Sequence, residues 1–131
     1  MLNGKIFVNG KFKTSKGSKI AVVNPATLKG IGFITESTNS EIDNAVDIAY
    51  DAQQSWAQAR HKGKILKECA NVIKNAKEEL AQLISLETGK AIRTESRLEI
   101  DSAVDGFEFF AGLATELKGE TIPFDPDMFS F

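Results

Sequence analysis

The spacing of apolar positions changes once along the chain, near residue 40. Before that point short apolar runs are separated by turn residues. Lys5-Ile6-Phe7-Val8, Asn9-Gly10 and Lys11-Phe12-Lys13-Thr14 read as two strands around a tight turn. Asn-Gly tolerates the positive φ angles of a type I′ turn, whose twist matches the strands it joins. A further strand is predicted over Lys19-Ile20-Ala21-Val22-Val23 and is stopped by Asn24-Pro25, because proline cannot donate to a ladder and restricts the residue before it. Ile31-Gly32-Phe33-Ile34-Thr35 follows a turn at Lys29-Gly30. Residues 1–35 are therefore expected to form an antiparallel β module.

Beyond residue 40 the period becomes helical. Ser40-Glu41-Ile42-Asp43 has the form of a capping box, and Ile42, Ala45, Val46, Ala49, Ala52 and Trp56 recur at 3.6-residue spacing to about residue 58. Ile65, Cys69, Val72, Ile73 and Ala76 predict a second helix that starts near His61 or Lys62. A third is expected from Glu79 to Thr88, with Leu80, Leu83, Ile84 and Leu86 apolar and Gly89 in the left-handed position that ends a helix. The fourth is predicted over residues 92–117, with Gly119 ending it. Ile100, Ala103, Val104, Phe107, Phe110, Ala111 and Ala114 line one face. Leu98, Phe109 and Leu113 form a second stripe, since two residues advance a helix by about 200°. A helix apolar on two sides expects partners on both.

Composition narrows the chemistry. With 131 residues there is room for one domain, and a self-contained chain of this size buries roughly two-thirds of its unfolded surface. No apolar run reaches the roughly 18 residues that cross a bilayer, and the first residues lead no signal-like stretch. A single cysteine forms no internal disulfide and suits a reducing compartment. One histidine and one cysteine exclude Cys/His zinc sites built from this chain alone. Charge is uneven: residues 1–35 carry six lysines and no acid, whereas residues 36–131 carry a balance of −8. The basic segment lacks arginine and is patterned as strands, so its lysines are read as solubilising exposed edges, not as a nucleic-acid arm.

The order of these signals resembles the N-terminal part of the aldehyde dehydrogenase superfamily. The matching stretches are Ile6-Phe7-Val8-Asn9-Gly10, Val23-Asn24-Pro25-Ala26-Thr27, and Asp43-Asn44-Ala45-Val46 with Ala49, Ala52 and Trp56. Ile65-Leu66, then Leu86-Glu87-Thr88-Gly89-Lys90, then Phe109-Phe110-Ala111-Gly112 with Leu117-Lys118-Gly119 complete the series. One departure is visible: Gly63-Lys64 stands where the family often carries an arginine before the Ile-Leu pair.

The pattern itself reads as fold class α+β, antiparallel strands and then four helices, and the resemblance implies that this is the N-terminal part of an α/β fold, lacking most of its nucleotide-binding sheet. Residues 1–131 are read as one incomplete domain, with strands over 1–35, helices over 40–119 and an extended tail over 120–131. Six of the nine phenylalanines fall in the last 25 residues and the chain stops mid-pattern, which reads as an interrupted protein. The implied reaction is NAD(P)-dependent oxidation of an aldehyde to a carboxylic acid by a cysteine thiolate, a glutamate base and an oxyanion site. All of these groups are expected outside this segment, so no catalytic or cofactor-binding residue is assigned here and NAD or NADP is not expected to bind it tightly. Expected partners are the remainder of such a chain, its aldehyde substrate and further copies in a homo-oligomer. Nucleic acid and membrane are not among them, and the location is cytoplasmic. A non-enzymatic helical interaction module is the alternative.

The resemblance also implies one site in this segment. Some relatives hold a monovalent cation on the two carbonyls before the Asn-Pro pair and the carboxylate before Thr-Gly-Lys, which here are Val22, Val23 and Glu87. Hard cations prefer such oxygen ligands. Glu87 could instead end a helix or pair with Lys90. Cys69 lies in an apolar stripe and reads as a small hydrophobe. His61, among Arg60, Lys62 and Lys64, reads as solvated. Gly30-Ile31-Gly32, Gly63-Lys64 and Gly89-Lys90 lack the companions that a phosphate-binding loop needs.

Overall fold

A computed structural model describes residues 2–116 and 118–130, with the backbone alone for residues 2, 123–125 and 128–130. In chain order the elements are β1 (Leu2–Asn3), β2 (Ile6–Val8), β3 (Lys11–Lys13), β4 (Lys19–Val23), β5 (Gly30–Thr35), α1 (Asn39–Gln58), α2 (Lys62–Asn75) and α3 (Lys77–Thr88). A π-helical turn (Ile92–Ser96) leads into α4 (Arg97–Leu113), followed by β6 (Ile122–Asp125) and β7 (Met128–Ser130).

Strands followed by helices is the predicted order, but the strands pair differently. β2 and β3 form the expected hairpin around Asn9 and Gly10, whose φ angles are 52° and 70°. Phe7 and Phe12 face each other across it with ring centroids 4.9 Å apart. This hairpin stays separate from the sheet, whose order is β1-β5-β4. β4 and β5 are antiparallel, whereas β1 joins β5 in parallel. A two-residue strand carries too little pattern to be read from sequence. The tail expected to be extended pairs β6 with β7 as an antiparallel hairpin.

Helix α1 is capped by Thr38 and not by Ser40. Two Ser/Thr-x-x-acid frames overlap here, and Glu41 decides between them. Its carboxylate accepts from Thr38 N–H (2.9 Å), from the buried Ser15 hydroxyl (2.6 Å) and from Lys16 N–H (3.3 Å). The cap therefore also clamps the β3–β4 loop to the helix. These hydrogen bonds, Ser15 first, hold the Glu41 carboxyl well below its ordinary value, at about 2.

The helical core is narrow. Ala70 of α2 and Ala81 of α3 are fully buried, beside Ile100 and Val104 of α4. A Cβ on Gly63 would come within 2.6 Å of the Ala111 carbonyl oxygen, so the start of α2 runs against the end of α4 at backbone distance. The inward stripe of α2 is Leu66, Cys69, Ala70, Ile73 and Ala76; Ile65 and Val72, expected on it, are exposed. Leu86 is likewise exposed, as are Ala103 and Phe110 of the main α4 stripe. Phe110 stands edge-to-face against Phe109. The second stripe of α4, Leu98, Phe109 and Leu113, has no cover. Regular helix extends to Leu113, short of the expected end at Leu117, which lies outside the described residues together with Phe131.

The opening of that long helix is also irregular. Ser96 N–H reaches back five residues to Ala91 C=O, which makes a π turn where a continuous α-helix was expected. Ion pairs bind α4 to the helix before it. Lys77 contacts both oxygens of Asp101 at 2.7 Å, and Arg97 makes a two-point fork with Glu78. Among the described residues these bridges to α4 come from α3 and its following loop, not from the lysine-rich α2.

The Glu41 clamp gives a pH prediction. A carboxylate whose folded pKa is depressed adds stability that is full above its unfolded value and is lost as pH falls through the folded one. Between pH 4.5 and about 2, the parent chain should lose stability more steeply than Glu41→Gln, which should be less stable at neutral pH. Parallel acid slopes in denaturant titrations of the two proteins would refute the clamp.

Candidate functional site

Val22 and Glu87 are 65 positions apart in sequence and meet at one cleft. The strand β4 supplies Val22, and β5 supplies Ile31, Phe33 and Ile34. Leu83 and Glu87, four residues apart on α3, form the opposite wall, and the cavity measures about 250 Å³. Val23 is not part of this wall and is exposed. The sheet register shifts between the two valines: Val22 pairs with Gly32 but Val23 with Gly30, so Ile31 is the extra residue of a bulge. A bulge bends the strand and re-aims the groups beside it.

The turn after β4 is held by the Asn24 side chain. Asn24 Oδ1 accepts from Ala26 N–H (2.9 Å) and Thr27 N–H (3.3 Å), while Asn24 C=O accepts from Leu28 N–H (2.8 Å). Leu28 takes the left-handed conformation at φ 58° and is strongly exposed. Nothing in the sequence marks it, because leucine is not a residue that favours this region. On the helix side, Gly89 ends α3 at φ 78°, as expected, and donates to Ser85 C=O. A Cβ on Gly89 would meet Pro25 Cγ at 2.9 Å. The Asn-Pro turn and the glycine cap are therefore in direct contact, which brings the two motifs into one junction.

The carboxyl end of a helix carries partial negative charge, and Glu87 adds a carboxylate to the last turn of α3. Lys90 does not neutralise Glu87; its ammonium pairs with Glu99 on α4. Among the described residues no cluster of three His, Cys, Asp or Glu side chains is placed to hold a metal ion. Among the described residues that line this cleft, Glu87 is the one with an ionisable side chain.

The other candidates are dispersed. His61 precedes α2, is exposed and makes no side-chain cap. Cys69 is half-buried on the inward face of α2. Eight helical positions separate them, about 12 Å of rise, so they form no thiol–imidazole pair. A larger cavity of about 550 Å³ lies between Lys64 and Lys67 of α2 and Glu108 of α4. It is an open trough, and no Ser, Thr, Cys or His is among the described residues that line it.

Comparison with known proteins gives a consistent result. The model of the aldehyde dehydrogenase family matches residues 12–131. A betaine aldehyde dehydrogenase from Cereibacter sphaeroides is 36% identical over 124 residues, which is 92% of this chain and 26% of that protein. An aldehyde dehydrogenase from Bacillus cereus, solved with NAD+, superimposes with a TM-score of 0.86 at 32% identity, over 95% of this chain and 26% of that one. A Staphylococcus aureus betaine aldehyde dehydrogenase in complex with NAD+ gives a TM-score of 0.82 at 31% identity, over 92% and 25%. The chain thus spans about a quarter of the length of the relatives it matches.

The junction of Gly89 with Pro25 predicts a local defect. Gly89→Ala forces a side chain into the left-handed region and against proline, and should cost about 1–2 kcal/mol. Denaturant midpoints measure the cost, and amide exchange at residues 24–29 should accelerate. An unchanged midpoint would show that the contact is not made.

Proposed function

This chain belongs to the aldehyde dehydrogenase family, and from that premise we propose that it is the strand-and-helix support of an NAD(P)-dependent enzyme that oxidises an aldehyde to a carboxylic acid. The observation that carries this reading is the match across residues 12–131, together with the superposition on an NAD+-bound aldehyde dehydrogenase. The reacting thiolate, the base and the nucleotide site belong, on this reading, to the part of the enzyme beyond this quarter. Neither Cys69 nor His61 is placed to replace them. NAD or NADP supplies the hydride acceptor. The enzyme works as a homo-oligomer in the cytoplasm, without nucleic acid or membrane. No described helix is long and apolar enough to cross a membrane.

Two of the relatives are betaine aldehyde dehydrogenases, so betaine aldehyde is the first substrate to test. The purified chain alone should form no NADH or NADPH with it. A chimera in which residues 1–131 replace the corresponding quarter of the Bacillus cereus enzyme should turn over an aldehyde accepted by that enzyme. Turnover by the chain alone, or a folded chimera without turnover, would overturn the proposal.

The same reading places a monovalent cation at Val22, Val23 and Glu87. The shared cleft of Val22 and Glu87 and the freedom of Glu87 from Lys90 support it. An ion present at tenfold its dissociation constant adds about 1.4 kcal/mol, or about 4–7 °C in melting temperature at this size. Potassium or sodium chloride should raise the melting temperature above that in choline chloride of equal ionic strength, and Glu87→Gln should lose the difference. Equal melting in all three salts would remove the ion from the proposal.

A further inference from the structure

The folded chain exposes 10592 Å², whereas a self-contained protein of its mass exposes about 6,800 Å². Roughly 3,800 Å² is therefore surface that a finished fold would cover. A standard interface takes about 800 Å² from each partner, and a large obligate one about 1,000–2,500 Å². One two-fold contact with a second copy leaves much of the excess bare.

Helix α1 shows what kind of cover is needed. It has 20 residues and buries none of them, although a helix of that length is marginal in water without a packed face. Ile42, Val46 and Tyr50 are 50%, 60% and 72% exposed and follow at four-residue steps, so they form one ridge. Asp43, Asp47 and Asp51 each stand one position on and form a parallel acidic ridge about 100° around the axis. No lysine or arginine occurs between Asn39 and Gln58. Beside the apolar ridge, Ile6 and Val8 of the hairpin leave an open groove of about 320 Å³.

We infer that the ridge of Ile42, Val46 and Tyr50 docks into an apolar groove edged by lysine or arginine on the larger body of the enzyme, and not onto a second copy of this chain. The inference rests on the reading given under Proposed function and names the partner surface that reading requires. The apolar floor removes the ridge from water, and the basic edge answers the aspartates. The acidic flank of α4, with Asp105 and Glu108, would repel them.

Two measurements test this. In the chimera with the Bacillus cereus enzyme, amide exchange in α1 should slow at least about 100-fold relative to the isolated chain. Salt should lower the chimera's melting temperature less once Asp43→Asn, Asp47→Asn and Asp51→Asn are introduced. Unchanged α1 exchange in a folded chimera overturns the inference, even if that chimera oxidises aldehydes; protected α1 without turnover overturns the enzymatic reading alone. In the isolated chain, joint replacement of Ile42, Val46 and Tyr50 by Gln should shift melting by no more than about 2 °C and reduce hydrophobic-dye binding. A fall beyond about 5 °C would mean that the ridge is interior in solution and would refute the inference. A discrete dimer dissociated by these changes would identify a second copy as the occupant and refute it equally.

Discussion

The rest of the molecule depends on the close approach of α2 and α3 to α4. Small residues make that approach possible: Ala70 and Ala81 are fully buried, and Gly63 lets the Ala111 carbonyl come closer than any side chain allows. At that point the amino end of α2 meets the carboxyl end of α4, so opposite ends of two helix dipoles face each other. Helices α2, α3 and α4 form one packed body. The contact of Pro25 with Gly89 joins the strands to it, and the Glu41 clamp ties the β3–β4 loop to α1.

Local chemistry was legible from sequence wherever a residue's own backbone preference decided the outcome. Asn9-Gly10 adopts the turn that its left-handed tolerance predicts, and Gly89 ends α3 as a glycine should. The change from strand to helical period also marks the boundary near residue 40. Where two local solutions competed, a distant residue chose. Thr38 and Ser40 are equally good caps, and the Ser15 hydroxyl and Lys16 N–H, more than twenty residues away, favour the frame that uses Glu41. The stripe on α2 was rotated for a similar reason. Ile65 and Val72 fit the period, but the approach of α4 selects the smaller Ala70 and Cys69 side. The parallel pairing of β1 and the π turn before α4 leave no periodic trace at all.

The candidate site was legible by a different route. Nothing in the spacing of Val22 and Glu87 joins them; only resemblance to a family pattern did, and the structure gives them one cleft. Its physical basis is the bulge at Val22/Val23 and the proline–glycine contact, both of which need the folded chain. The bland readings of His61 and Cys69 follow from their neighbours, since one lies outside a helix in solvent and the other faces an apolar stripe. Among the described residues the lysine that bridges to Asp101 of α4, Lys77, opens α3 and does not belong to the lysine-rich α2.

A fold with so small a core must orient its parts by directional contacts and not by buried area. Of the chain's residues 42% are apolar, yet among the described residues Ile100 and Val104 are the only apolar side chains larger than alanine that are buried. The remaining orientation comes from the Glu41 clamp, the Arg97–Glu78 fork and the Lys77–Asp101 bridge. Exposed ion pairs contribute about 1 kcal/mol or less each and weaken with salt. Such contacts define which elements meet but leave the angles between them soft. Val22 sits on the sheet and Glu87 on α3, so the distance between them depends on one of those soft angles. Anything that grips both walls, whether an ion between their oxygens or a body covering the exposed faces, stiffens the same coordinate. The proposed cation and completion of the fold are therefore expected to be coupled, because each would remove freedom that the other would otherwise have to remove.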